Sequence, residues 1–252
     1  IDIGQVMFKP TVTISSDILR QFDARSHSNP KKWVMNLAED GGGGIVPYKY
    51  NSKNFINTLQ WIIGLELFLL VNDPWRVFLT TDHPNGAPFT MYPKLFRLLM
   101  DFDYRMSELE RTHPDARKYS NLHQIKRCYN LYDISTMTRA APAKILGLKK
   151  YGSLKPGSVA DISVYKYSNN FEKMFSSAYL VFKNGINIVK KGKISSYKKG
   201  KTHYLNLDYR KSICKDIQKW FDKEYAFDID NLNVSEYFFT EDNFNKNFSK
   251  RT

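Results

Sequence analysis

The segment Asp82-His83-Pro84-Asn85-Gly86-Ala87-Pro88-Phe89 follows directly on the apolar run Val77-Phe78-Leu79. Val77 to Thr81 is apolar and β-branched enough to form a buried strand, and Pro84 with the Asn85-Gly86 pair enforces an immediate turn. A carboxylate and an imidazole therefore stand at the C-terminal lip of a strand. In a parallel α/β barrel that lip is the open face on which catalytic groups and metal ligands collect. The alternative is purely structural: an Asp after a strand commonly makes an Asx-turn, and His83 would then be a satisfied loop histidine.

The elements that must position this pair are legible from periodicity. Ile1 to Phe8 alternates as a β segment does, and Phe55 to Val71 is the longest apolar stretch. That stretch contains Asn57, Gln60 and Glu66, too short and polar for a membrane span, so it predicts a helix with its apolar positions in the core. Asp103 to Arg127 reads as charged helix broken at Pro114. From Tyr151 the pattern changes to short strands. Tyr179 to Lys183, then Asn184-Gly185, then Ile186 to Lys190 predicts a two-residue hairpin, because Asn-Gly tolerates the positive φ of a type I′ turn. A second turn is expected at Lys191-Gly192, a helix around Asp216 to Tyr225, and beyond it an acidic, Asn/Phe-rich end read as poorly ordered or as a docking segment.

Composition narrows the function classes. Cys128 and Cys214 are the only cysteines and lie far apart, which excludes a C-x-x-C zinc or iron–sulfur motif. With no signal-peptide pattern at the start, a cytoplasmic location is the expectation. The chain of 252 residues carries a formal charge of +13, and Lys166 to Lys223 holds fourteen Lys/Arg against four Asp/Glu, a local excess of +10. Tyr165, Tyr167, Tyr197 and Tyr204 interleave with that stretch, yet they follow no RNA-binding signature, and Lys, Asn, Tyr and Ile are abundant throughout. Nucleic acid is thus the lesser reading; an acidic protein partner or an acidic substrate tail accounts for the charge as well.

The string Leu79 to Thr90, LTTDHPNGAPFT, resembles the signature of the formylmethanofuran dehydrogenase A-subunit family and its methylotroph counterpart in the formyltransferase/hydrolase complexes, both within the amidohydrolase superfamily. Gly43 to Tyr48 and Asn57 to Leu67 resemble that family's preceding loop and helix. Tyr132 to Leu148 resembles the helix that closes its barrel, and Gly152 to Ile162 its return into a β-sandwich. The likeness covers roughly residues 1 to 195.

The resemblance implies an α/β fold: the C-terminal part of an amidohydrolase-type TIM barrel over 1–150, β-sandwich strands over 151–205, and a helical, charged C-terminal tail over 206–252. The chain would then be the C-terminal half of a longer polypeptide, whether as fragment, split subunit or processed product. Asp82 matches the family's strand-8 aspartate, a metal ligand that also takes the proton from metal-bound water. His83, Asn85 and Gly86 would line the substrate mouth as substrate-binding residues. The implied cofactor is binuclear zinc with its remaining ligands outside this chain, since His27, His83, His113, His123 and His203 form no His-x-His. The implied substrate is a methanofuran-type C1 carrier, whose N-formyl bond is formed or hydrolysed. The implied partners are the missing N-terminal half of the barrel and the other subunits of such a complex. Methanofuran-type cofactors carry several carboxylates, which suits the basic stretch. Arg139, in the closing helix, is read as a structural ion pair rather than a substrate contact. A catalytically incomplete scaffold subunit, or another cyclic amidohydrolase of the dihydroorotase or hydantoinase kind, remains as the alternative.

Overall fold

Where a buried strand's backbone hydrogen bonds go decides what sits beside it. In the computed structural model, which describes residues 1–15, 44–200 and 210–232, the segment Val77–Thr81 lies alongside residues 1–5 in parallel orientation. Phe78 N–H donates to the Ile1 carbonyl (2.7 Å) and Gln5 N–H to the Thr80 carbonyl (2.9 Å). Val77, Leu79 and Thr81 are buried, the alternation expected of a strand against a core, but the expected strand is reduced to an extended segment held by one isolated parallel bridge, Asp2 with Phe78. The N-terminal segment departs from its apolar pattern: Gln5 is buried to 1% exposure, where its Nε2 donates to the carbonyls of Val6 and Trp61.

The chain divides into two compact units, residues 1–196 and 197–252. In the first, strands β1 (Pro10–Ser15) and β2 (Gly44–Lys49) pair antiparallel, with Thr11 opposite Tyr48 and Thr13 opposite Val46. The sequence reading treats Gly43 to Tyr48 as loop. Its partner lies some thirty residues upstream, and a two-stranded ribbon accommodates Pro47 at an edge as a central strand would not.

Helix α1 (Phe55–Leu70) supplies the core's main wall. Asn54 caps it by accepting from Asn57 N–H, and Asn57, Thr58, Trp61, Ile62, Leu65, Phe68 and Leu69 recur at helical spacing on the buried face. Arg127 secures its C-terminal end, donating to the carbonyls of Leu69 in the last turn and of Val71 and Asn72 just beyond it. Truncating a side chain as buried as Leu65 or Phe68 to Ala typically costs about 2–5 kcal/mol.

Helices α2 (Tyr92–Met100), α3 (Phe102–Glu110) and α4 (Pro114–Arg117) follow, the break falling at residues 111–113, next to the Pro114 marked in the sequence. Arg105 of α3 is fully buried, donating to the carbonyls of Leu98, Ile125 and Arg127; burial pulls its pKa down, and this net of charge-assisted bonds fixes the loop that leads onward.

The helix expected over Tyr132 to Leu148 is not uniform. It runs as α5 (Leu131–Ser135), a π segment (Thr136–Ala140) and α6 (Ala141–Ile145). Pro142 lacks the N–H that would reach the Thr138 carbonyl, Ala141 N–H donates to Thr136, and Arg139 Nη1 takes up the Thr138 carbonyl at 2.9 Å.

Four antiparallel strands complete this unit in the order β3 (Ile162–Val164), β4 (Leu180–Lys183), β5 (Ile186–Lys190), β6 (Lys193–Ile194), with α7 (Phe171–Phe175) inserted after β3. Both turns match expectation: Asn184 and Gly185 have φ of 49° and 78°, Lys191 and Gly192 50° and 78°. Helix α7 joins the sheet to the helical layer. Phe175 meets Phe96 and Tyr165 edge-on, and Glu172 lies 3.8 Å from Arg97.

In the second unit, helix α8 (Ile213–Glu224) covers the expected helix, with Phe221 buried against Tyr225 and Phe227. Of the acidic end expected beyond Tyr225, residues 226–232 are described, with a short 3-10 turn at Ile229–Leu232, and the rest lies outside the described residues. No helix among the described residues is long and apolar enough to cross a membrane.

Candidate functional site

Immediately after the buried extended segment Val77–Thr81 the backbone reverses. Thr81 offers its carbonyl to the N–H groups of both Gly86 and Ala87, its hydroxyl donates to the Ala87 carbonyl, and Asn85 N–H returns to the Asp82 carbonyl at 2.6 Å. The turn that Pro84, Asn85 and Gly86 signal is thus closed by its own backbone. The His83–Pro84 peptide is cis.

Asp82 carries φ of 46°, in the left-handed region that Asp tolerates better than most residues but at a cost of about 1 kcal/mol or more. That conformation turns its carboxylate outward. Gly4 makes room for it: a Cβ at Gly4 would stand 3.3 Å from the Asp82 Cβ.

The two oxygens of Asp82 are not equivalent. Oδ2 accepts from Asn85 Nδ2 at 3.0 Å, whereas no donor among the described residues bonds Oδ1. Asn85 is itself held, because Thr13 Oγ1 donates to its Oδ1 at 3.2 Å, and Thr11 donates to the Pro84 carbonyl next door. The β1 hydroxyls therefore brace the loop from one side.

Tyr50, just beyond β2, faces the same carboxylate. Its pKa is raised, first by burial, then by Tyr48 and by the negative charge of Asp82, so the phenol stays protonated. Tyr48 packs edge-on against it at 4.8 Å.

His83 is exposed. Its Nδ1 accepts from Phe89 N–H at 3.1 Å and its ring meets Phe89 at 4.7 Å, which fixes the imidazole at the start of the helical segment Phe89–Met91. Gly86 is buried instead: its N–H and C=O bond Thr81 and Met7, and an added Cβ would lie 2.6 Å from the Thr81 carbonyl and 2.8 Å from that of Gln5. Only a residue without a side chain fits between those two backbone segments.

A cavity of about 1050 Å³ opens beside the lip, lined among others by Asp2, Thr80, Phe89, Tyr92, Lys94 and Arg139. Neither Asp82 nor His83 lines it. Arg139 makes no ion pair among the described residues, contrary to the expectation from sequence; its guanidinium is engaged by the carbonyl that Pro142 cannot serve.

A metal-ligand set needs several donors converging on one point, typically three or more protein ligands for zinc. Among the described residues no group of three or more His, Cys, Asp or Glu side chains does so. The Asp82 carboxylate fits one oxygen-ligand position, and the described residues do not by themselves fit a binuclear centre.

This chain belongs to the amidohydrolase family, whose model matches residues 1–183. Its relatives are more particular. Over 240 residues it is 41% identical to the A subunit of the formyltransferase/hydrolase complex Fhc of Methylorubrum extorquens, covering 95% of this chain and 44% of that one. Protein FwdA of Methanocaldococcus jannaschii is 36% identical over 249 residues, again 44% of its length. Among solved structures, the formyltransferase/hydrolase complex FhcABCD of Methylorubrum extorquens bound to methylofuran superposes with a TM-score of 0.83 at 40% identity, over all of this chain and 46% of its counterpart. The chain thus spans less than half the length of the relatives it matches. The family membership and the structural match establish an α/β amidohydrolase fold.

The sequence brings forward Asp82, His83, Asn85 and Gly86, and the structure sets all four in one turn. Thr11, Thr13 and Tyr50 escape it. Their contacts with the turn span about seventy residues for the threonines and cross a β-ribbon whose pairing is not written locally.

Proposed function

We propose that this chain is the C-terminal part of the A subunit of a formylmethanofuran dehydrogenase-type complex, and that the assembled enzyme forms or hydrolyses the N-formyl bond of a methanofuran-type carrier. The observation that carries this reading is an outward carboxylate at a strand lip, with one oxygen held by Asn85 and the other open, in a chain 41% identical to the A subunit of an Fhc complex. Residues 1–150 would be the closing part of a TIM barrel, 151–205 strands of a β-sandwich, and 206–252 a charged tail.

Asp82 is the proton acceptor in this reading. Its open oxygen takes the proton of the attacking water, while Asn85 holds the other oxygen still and Tyr50 keeps a neutral hydroxyl nearby. His83 and Asn85 border the substrate mouth, and Gly86 shapes it through backbone alone. Asp82 would supply one carboxylate ligand to a binuclear zinc centre completed by residues elsewhere; zinc bound there would lower the pKa of its water and polarise the formyl oxygen.

Assembly with sibling subunits is part of the proposal. Tyr132, Ile145, Leu146 and Leu154 are 65%, 70%, 64% and 81% exposed around the closing helix, more apolar surface than a solitary chain tolerates well. A cytoplasmic location accords with a complex of this kind.

The test is substrate choice. The assembled enzyme is given its N-formylated carrier and, separately, dihydroorotate and hydantoin, with formate and ring opening measured. Formate release from the carrier alone is expected; ring opening without formate release would shift the assignment to a cyclic amidohydrolase.

A further inference from the structure

A carboxylate only accepts hydrogen bonds, so the Asn85 group facing Asp82 Oδ2 must be the NH2, and its amide oxygen must face away. That oxygen meets the hydroxyl of Thr13, 72 residues distant in sequence. The orientation of Asn85 is therefore set from both ends. The carbonyl of Pro84, immediately before it, is tied to the same strand by Thr11, so the loop backbone and the amide are braced by alternate residues of β1.

Given these contacts, we infer that Thr13 and Asn85 are positioning residues that engage Oδ2 of Asp82 and so reserve Oδ1 for the reacting water. The inference rests on the reading that Asp82 is the proton acceptor. Thr13 touches no reacting atom; it acts through Asn85. Without that hydroxyl the Asn85 amide loses one of the contacts that orient it, and the Asp82 carboxylate can rotate about its Cα–Cβ and Cβ–Cγ bonds and lose its alignment. Asp82 is exposed, and no other side chain among the described residues hydrogen-bonds its carboxylate.

The experiment measures formate release from the N-formylated carrier by the assembled enzyme, comparing Thr13→Val, Thr13→Ser, Asn85→Asp, Asn85→Ala, the Thr13→Val/Asn85→Ala double variant and Asp82→Asn. Loss of such an outer partner typically costs about ten- to a hundredfold. Thr13→Val should lower kcat by that factor with KM unchanged, and Thr13→Ser, which keeps the hydroxyl, should restore it. Asn85→Asp keeps the shape but cannot donate, and should fall as far. In the Asn85→Ala background Thr13→Val should cost nothing more, because the two act in series.

Parent-like kcat in Thr13→Val, failure of Thr13→Ser to rescue, or additive losses in the double variant would overturn the inference while leaving Asp82 in place. Parent-like turnover in Asp82→Asn would remove both. If Thr13→Val does not fold, Asn85→Asp and the uncharged Asn85→Ala carry the decision: parent-like kcat in either overturns the relay, and a loss of kcat in both upholds it.

Discussion

Asn85 Nδ2 stands 3.0 Å from Oδ2 of Asp82, three residues earlier in the same turn. A side-chain bond of that span closes the Asp-His-Pro-Asn segment on itself and leaves the carboxylate with one oxygen bound and one open. The residues that lie between and beyond can then be assigned different tasks.

His83 is oriented by Phe89 rather than by Asp82, so its contribution should be to substrate binding. A group that contacts ground and transition states equally changes KM and not kcat. His83→Asn in the assembled enzyme should raise KM and leave kcat within a few-fold, as steady-state formate release will show. A collapse of kcat with unchanged KM would make the imidazole part of the chemical step.

Gly86 is a packing requirement. The 2.6 Å and 2.8 Å approaches that a Cβ would make are to backbone carbonyls, which cannot swing aside as a side chain can. Gly86→Ala should destabilise by about 1–3 kcal/mol, the usual penalty for overpacking. Denaturant unfolding of the purified protein reads this directly; a parent-like midpoint would mean that the strand lip is more yielding than its geometry.

How much of this is legible in the residues depends on the range of the contact. The hairpin at Asn184-Gly185 and the second turn at Lys191-Gly192 are local, because each positive φ is borne by residues suited to it, and both stand where the sequence puts them. Helix α1 is declared by its own periodicity and its Asn54 cap. The candidate catalytic turn is legible for the same reason, since Pro84 and Asn85-Gly86 write it locally. By contrast, Gly44–Lys49 reads as loop because its strand partner is distant, and the π segment at Thr136–Ala140 requires knowing what replaces the missing Pro142 N–H. Sequence alone suggests an ion pair for Arg139; a charged side chain's partner is set by tertiary geometry, and here it is a carbonyl on the preceding residue. Thr13 has no motif at all. Its meaning appears only when β1 is laid against the loop.

Tyr129 gives a pH signature independent of the site. Its hydroxyl donates to the Phe68 carbonyl, and burial raises its pKa from 10.0 to about 12, opposed by Arg127 and assisted by Asp133. Above pH 10 the unfolded chain releases a proton that the folded chain retains, so stability falls as pH rises from 10 to about 12. Tyr50 and Tyr104, also raised, add to the same limb. Tyr129→Phe should shallow that alkaline loss in melts recorded across the window, and an unchanged slope would contradict the buried, neutral phenol.

The central claim is that the Asp82 carboxylate is the proton acceptor, and Asp82→Asn in the assembled enzyme tests it most directly. The substitution keeps the side-chain size and one oxygen donor while removing the charge and the basic site, so bound zinc, measured by elemental analysis, should be largely retained. Single-turnover formate release should fall by about a hundred- to ten-thousandfold, the range for loss of a general base. Turnover within a few-fold of the parent, with zinc retained, would contradict the account and leave Asp82 as a turn residue only.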